Sequence, residues 1–110
     1  MRLSLIVILL ALVLLIPGDV NAASLSLRGS ATWYRYVVGG AAAGPALRRW
    51  LGAHWRGHRV HVCTLHGKCV YVRLTDWCSC TGRRVIDLDR RSFAKLAWPG
   101  RGVIEVRVYR

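Results

Sequence analysis

The sequence predicts a small, mainly β domain behind an N-terminal export segment. Three observations carry that prediction. Residues 59–63, 69–76 and 102–109 alternate apolar and polar positions with the period of a half-buried strand. Helical patterning is confined to two short stretches, 45–51 and 90–97, and does not alternate with the strands as it would in a parallel α/β sheet. Residues 3–16 (LSLIVILLALVLLI) form an unbroken apolar run behind one basic residue, Arg2.

That run ends at Pro17 and Gly18, and Val20, Asn21 and Ala22 offer the small or apolar residues a signal peptidase needs. Residues 1–22 therefore read as a signal peptide, cleaved after Ala22. A retained transmembrane anchor needs about 20 apolar residues, more than the run supplies. The remainder of the 110 residues suffices for one domain. Domains of this size bury a modest core and often need covalent staples. All four cysteines (Cys63, Cys69, Cys78 and Cys80) lie in it. In an exported chain an even count favours disulfides. The expected location is secreted, periplasmic or in the cell wall.

The chain has 17 Lys and Arg against 5 Asp and Glu, a formal net charge of +12. Beyond residue 22 the acids are Asp76, Asp87, Asp89 and Glu105. Such a balance favours polyanionic surroundings, and arginine in particular pairs bidentately with phosphate and carboxylate. Export removes most nucleic-acid partners, so none is expected. Contact with an anionic surface is.

Residues 23–29 read as a short disordered lead-in and 30–110 as the domain. Residues 31–36 (ATWYRY) have the aromatic and Thr content of a strand. The Gly- and Ala-rich stretch 37–44 reads as a loop. Pro45 suits the first turn of a helix whose apolar positions 46, 47, 50 and 51 share a face, and Gly52 closes it. Residues 59–63 and 69–76 make a hairpin whose connection contains Gly67. On its second strand Val70, Val72, Leu74 and Asp76 share the inward face, while Tyr71, Arg73 and Thr75 point outward. A loop at 77–82 precedes a strand at 84–88. Asp89 is placed to cap the helix 90–97, which turns Phe93 and Leu96 inward. Pro99-Gly100 is a turn, and 102–109 closes the chain.

These pieces, in this order, resemble the RlpA-like double-psi β-barrels, a group that includes expansin first domains, barwin and family 45 endoglucanases. The resemblance rests on the strand opening Ala31-Thr32-Trp33-Tyr34 and on Gly57 followed by Val60-His61-Val62. It continues in the strand 70–76 ending at Asp76, in Gly82-Arg83-Arg84-Val85-Ile86-Asp87-Leu88, and in a last strand, 102–108 (GVIEVRV). It implies a six-stranded double-psi β-barrel with one or two short helices. Where RlpA-like enzymes follow the Asp with Arg-Gly-Pro, this chain has Trp77-Cys78-Ser79-Cys80, closer to the expansin and barwin side. Residues 23–75 contain no carboxylate, and the position of the family's upstream His falls near Leu51.

Asp76 is the candidate catalytic residue. At the end of an inward row it is expected at the barrel mouth, where partial burial would favour a general acid. The structural alternative is a carboxylate that accepts backbone N–H groups of the following loop. Inverting hydrolysis needs two carboxyl groups about 6.5–9.5 Å apart. Asp87 occupies the family's I-D-L position, which reads as structural, and Glu105 is placed to pair with an Arg. A lytic transglycosylase is less demanding, because the sugar's own 6-hydroxyl closes onto C1 and one residue can serve as acid and base.

Of the five tryptophans, Trp33 and Trp50 are expected in the core. Trp55 and Trp77 are candidates to stack on sugar rings. Cys63 and Cys69 can pair across the hairpin loop, contributing about 2 kcal/mol, a staple similar to one in expansins. That leaves Cys78 and Cys80, so close in sequence that their own disulfide is expected to be strained. The alternative pairs 63 and 69 with 78 and 80 in either order. A zinc site with His58, His61 or His66 lacks the usual C-x2-C spacing, so neither metal nor cofactor is expected.

The expected function is that of a secreted, monomeric module acting on cell-wall polysaccharide, with peptidoglycan the first candidate. It would bind glycan in a cleft lined by Asp76, Trp55, Trp77, Arg83 and Arg84. If it is an enzyme, it is a lytic transglycosylase using Asp76. The alternative is a barwin-like cationic antimicrobial or defence protein without enzymatic activity.

Overall fold

The computed structural model describes residues 25–35 and 39–110. The signal segment therefore lies outside the described residues, as do Tyr36, Val37 and Val38. The hairpin is built as its alternation predicts. Strands β3 (Arg59–Thr64) and β4 (Cys69–Trp77) pair antiparallel with Val60 opposite Val72 and Val62 opposite Val70. All four valines are buried.

Strand β1 (Ser26–Tyr34) begins four residues earlier than the lead-in reading allowed. Residues 26–29 are strand, because Leu27 and Gly29 face Val108 and Val106 of the last strand, β6 (Ile104–Tyr109). The second half of β1 pairs parallel with β5 (Arg84–Asp89), Thr32 opposite Asp87 and Tyr34 opposite Asp89.

The Gly/Ala stretch is not all loop. Gly40–Ala43 is strand β2, parallel to β4 and antiparallel to β5. Gly and Ala carry little strand propensity. Burial of all four residues also removes the alternation by which a half-exposed strand is read.

The six strands close into a barrel in the order β1-β5-β2-β4-β3-β6. Its interior is filled by Val60, Val62, Val72, Leu74, Ile86, Leu88, Val106 and Val108, joined by Leu47 and Phe93 from the two helices. Burying each such side chain contributes about 1.5–3 kcal/mol. Helix α1 (Pro45–Leu51) starts on Pro45 and ends at Gly52, whose φ of 86° is the left-handed region glycine enters without strain. Helix α2 (Arg90–Leu96) is capped by Asp89, which accepts a hydrogen bond from the Ser92 N–H at 3.3 Å. A 3-10 turn, Pro99–Arg101, is tied to β1 by the Trp33 indole N–H, which donates to the Pro99 carbonyl at 2.8 Å.

Where β1 crosses the start of β5 the backbones nearly touch. A Cβ on Gly29 would lie 2.6 Å from the Arg83 carbonyl and 2.5 Å from Val85 Cγ1. Only glycine fits there.

Candidate functional site

The crossed parallel strands bring together residues remote in sequence. Ala42 of β2 is in register with Asp76 of β4 on one side and with Asp87 of β5 on the other. Asp87 is in register with Thr32 of β1. Asp76, Ala42, Asp87 and Thr32 therefore form one row across four adjacent strands. With strands about 4.8 Å apart, the two aspartates stand about 10 Å apart at the backbone over the small side chain of Ala42.

Asp76 does not sit where simple alternation puts it. Leu74 pairs with Ala41 and Asp76 with Ala42, so Thr75 is an extra residue, a bulge, in β4. The bulge resets the inside–outside phase. Asp76 is exposed, as are Thr75 and Trp77, rather than continuing the inward row of Val70, Val72 and Leu74. Its Oδ1 accepts the Trp77 backbone N–H at 2.8 Å, the loop-capping role set out above as the structural alternative.

Asp87 is held differently. The Thr32 hydroxyl donates to Asp87 Oδ1 at 2.9 Å and accepts from the Arg84 guanidinium at 3.1 Å. One row further along β1, the half-buried Tyr34 lies in the field of Asp76, Asp87 and Asp89. Burial first, then these three carboxylates, push its phenol above the ordinary tyrosine range. Sequence reasoning missed Thr32 and Tyr34 as site residues. Their signal was the short strand Thr32-Trp33-Tyr34, whose outward positions matter only once β5 lies beside it.

Trp55 and Trp77 do come together, around Arg48 of α1. The Arg48 guanidinium carbon is 5.9 Å from the Trp55 ring and 5.6 Å from the Trp77 ring. Its Nη1 donates to the carbonyls of Ala43 and Cys78, at 2.6 and 3.1 Å. Arg56 lies 4.7 Å over Trp55 and donates to the Thr75 carbonyl at 2.8 Å. The Trp77 indole is 56% exposed beside Asp76. Trp33 and Trp50 are partly buried and packed against the core, and so is Trp55, a sugar-stacking candidate from sequence.

The two arginines singled out from sequence part company. Arg84 reaches Thr32 in the row. Arg83 pairs instead with Glu105 of β6 at 2.7 Å, a carboxylate also met by Arg28 at 3.5 Å.

The cysteines pair as Cys63–Cys69 and Cys78–Cys80. The second pair, which its short separation disfavours, joins Cα atoms 5.1 Å apart, inside the usual range of about 4.4–6.8 Å. It closes the turn that follows Trp77 and presents the Cys78 carbonyl to Arg48. His61 lies near Cys63 and Cys69, but both sulfurs are in the disulfide rather than free to ligate.

The family described as lytic transglycolase, a double-psi β-barrel, matches residues 26–108. No curated protein matches. Among solved structures, the apo expansin of Clavibacter michiganensis superposes with a TM-score of 0.62 at 21% identity, over 76% of this chain and 49% of that one. A mutant of that expansin in complex with cellohexaose gives 0.61 at 20% identity, with the same coverage. The chain thus spans about half the length of the expansin. A Streptomyces papain inhibitor gives 0.60 at 25% identity, over 76% of this chain and 92% of that one.

Proposed function

Since the chain belongs to the lytic transglycolase family of double-psi β-barrels, we propose that it is an extracellular module that binds cell-wall glycan, peptidoglycan first, along the Asp76–Ala42–Asp87–Thr32 row. The observation that carries this reading is the row itself. Two carboxylates flank a floor of one alanine, and an exposed indole, Trp77, stands at one end. Sugar hydroxyls are donors and acceptors, so the carboxyl groups of Asp76 and Asp87 and the Thr32 hydroxyl can hold them. The apolar C–H face of a sugar ring suits Trp77. Arg48 fixes the position of Trp77 relative to the row. The cellohexaose complex of the similar expansin supports a glycan ligand.

Asp76 is the residue of this row that can exchange a proton with bound sugar, because it is exposed and its Oδ2 is not used by the Trp77 N–H. In a transglycosylase step it would protonate the glycosidic oxygen as the bond to C1 breaks. It would then accept the proton of the 6-hydroxyl that closes onto C1.

The test is incubation of the protein and its Asp76→Asn and Trp77→Ala variants with insoluble peptidoglycan. Retention at moderate salt that is lost in Trp77→Ala supports the binding site, and equal retention of both variants would sink it. Anhydro-muropeptides released by the wild type and not by Asp76→Asn would add catalysis.

A second reading, a non-enzymatic defence protein, is favoured by one observation: the match extends over 92% of the papain inhibitor. It predicts inhibition of a cysteine protease such as papain that is insensitive to Asp76→Asn.

A further inference from the structure

The barrel wall formed by β4, β3, β6 and β1 carries a second constellation, separate from the row just described. On its outer surface Tyr71, His61, Tyr109 and Ser26 are in register across the four strands. On one side of this line Arg73 stands opposite Arg59. On the other, Arg107 stands opposite Arg28 and is aligned with Cys63. Successive outward rows are about 6.7 Å apart, from the rise of two strand residues. The two arginine rows are therefore about 13 Å apart, with the rings between them.

The arginines are held in place. Arg59 lies 4.4 Å over the Tyr71 ring, and Arg73 Nη1 donates to the Gly57 carbonyl at 2.7 Å. Neither they nor Arg107 form an ion pair with a carboxylate among the described residues, where Glu105 takes Arg28 and Arg83. Three guanidiniums with unspent N–H donors thus share one face, in two rows too far apart for one small anion to bridge.

The rings decide between polyanions. His61 and Tyr71 stack on each other, with centroids 4.1 Å apart and planes 12° apart. Tyr109 is tilted against His61 at 6.4 Å. A single-stranded nucleic acid held by base stacking needs open ring faces. Here Tyr71 already carries an imidazole and a guanidinium, so the strip offers edges, hydroxyls and N–H groups.

We propose that this face binds a linear phosphodiester polymer lacking bases, of the polyol-phosphate kind. Arg59 and Arg73 would seat phosphates on one side of the aromatic strip, and Arg107 on the other. Arginine suits this because its planar fork meets phosphate bidentately. Such a contact would hold the protein on an anionic polymer while the opposite wall stays free.

The test is titration of the protein with synthetic poly(glycerol phosphate) over a series of salt concentrations. Two charge-matched variants are compared: Arg59→Gln/Arg73→Gln/Arg107→Gln, and Arg49→Gln/Arg91→Gln/Arg101→Gln elsewhere on the surface. Binding by the wild type should weaken steeply with salt. The face variant should lose at least tenfold in affinity and about 2 from the log–log salt slope, at about 0.7 per phosphate contact. The control variant should stay within about threefold of wild type, since it keeps every phosphate contact. Should the triple variant melt early by circular dichroism, Arg107→Gln alone should remove about 0.7 of slope. Equal losses in both triple variants would reduce the effect to net charge and overturn the proposal. So would no wild-type binding at low salt, tighter binding to poly(U), or binding only to anionic vesicles. Asp76→Asn and Trp77→Ala should leave this titration unchanged, so its failure and that of the glycan reading are separable.

Discussion

The wall of β4, β3 and β6 and the wall of β1, β5 and β2 are made by different means. In the first, antiparallel neighbours alternate cleanly, with valines inside and Arg, His and Tyr outside, and one hairpin sets the register. In the second, strands from distant parts of the chain meet at glycine and alanine positions, β1 parallel to β5 and β2 antiparallel to it, with little room to spare at Gly29. Asp76, Asp87 and Asp89 lie at the second wall and its border with β4, whereas Arg59, Arg73 and Arg107 face outward from the first. Of the acids among the described residues, Asp87 and Asp89 stand on β5, Asp76 at the end of β4 and Glu105 on β6 between Arg28 and Arg83.

The sharpest way to break the comparison is Gly29→Ala. The added methyl meets the Arg83 carbonyl where β1 crosses β5. Overpacking of this kind costs about 1–3 kcal/mol, and a backbone neighbour that cannot step aside puts this site at the upper end. Urea unfolding should show the midpoint fall with little change in slope. On the other wall, replacing Cys63 and Cys69 together by Ala should cost about 2 kcal/mol, the closure entropy of a short loop. It should leave the hairpin register intact, read as unchanged far-ultraviolet dichroism with a lower melting temperature.

A smaller effect sharpens the picture of the acid row. Thr32→Val removes the hydroxyl shared by Asp87 and Arg84, leaving both short of a partner. A loss of about 1–2 kcal/mol is expected, and Thr32→Ser should restore most of it in the same thermal melt. An effect no larger in Val than in Ser would mean that the hydroxyl does not organise the row.

The smallest effect is the pH dependence of the exposed Glu105. Its hydrogen bond from Arg83 is the main cause holding its carboxyl below the ordinary value of 4.5. A depressed folded-state pKa gives stability that is present above the unfolded value and lost as pH falls through the folded one. The melting-temperature difference between wild type and Glu105→Gln should therefore be widest near neutral pH, shrink below 4.5, and be weakened by salt. A difference that grows in acid would reverse the sign and exclude the pair as its source.

Much of the first wall was legible residue by residue. The alternation of Val60, Val62, Val70, Val72 and Leu74 predicted both the hairpin and its inward face. Pro45, Gly52 and Asp89 marked helix ends that the structure keeps. The extension of β1 to Ser26 was present as the alternation of Leu25, Ser26, Leu27 and Arg28, but its partner, β6, lies at the far end of the chain. Strand β2 was hidden because Gly40, Ala41, Ala42 and Ala43 are buried on both sides and show no period. The bulge at Thr75 turned Asp76 outward, and nothing local distinguishes Thr75 from an ordinary strand residue.

By itself, then, the sequence determined the mainly β character, the hairpin with its inward valines, the helix caps and, through the order of its motifs, the barrel family. Those features depend on periodicity and on residues acting within a few positions of themselves. Only the tertiary structure decided that Asp76, Asp87 and Thr32 share a row, that Arg84 joins it while Arg83 turns to Glu105, and that Cys78 pairs with Cys80. Each of these depends on parallel pairing or on choices among several possible partners. Neither leaves a local period in the chain; they are settled by which backbones can approach, here past Gly29 and the alanines of β2.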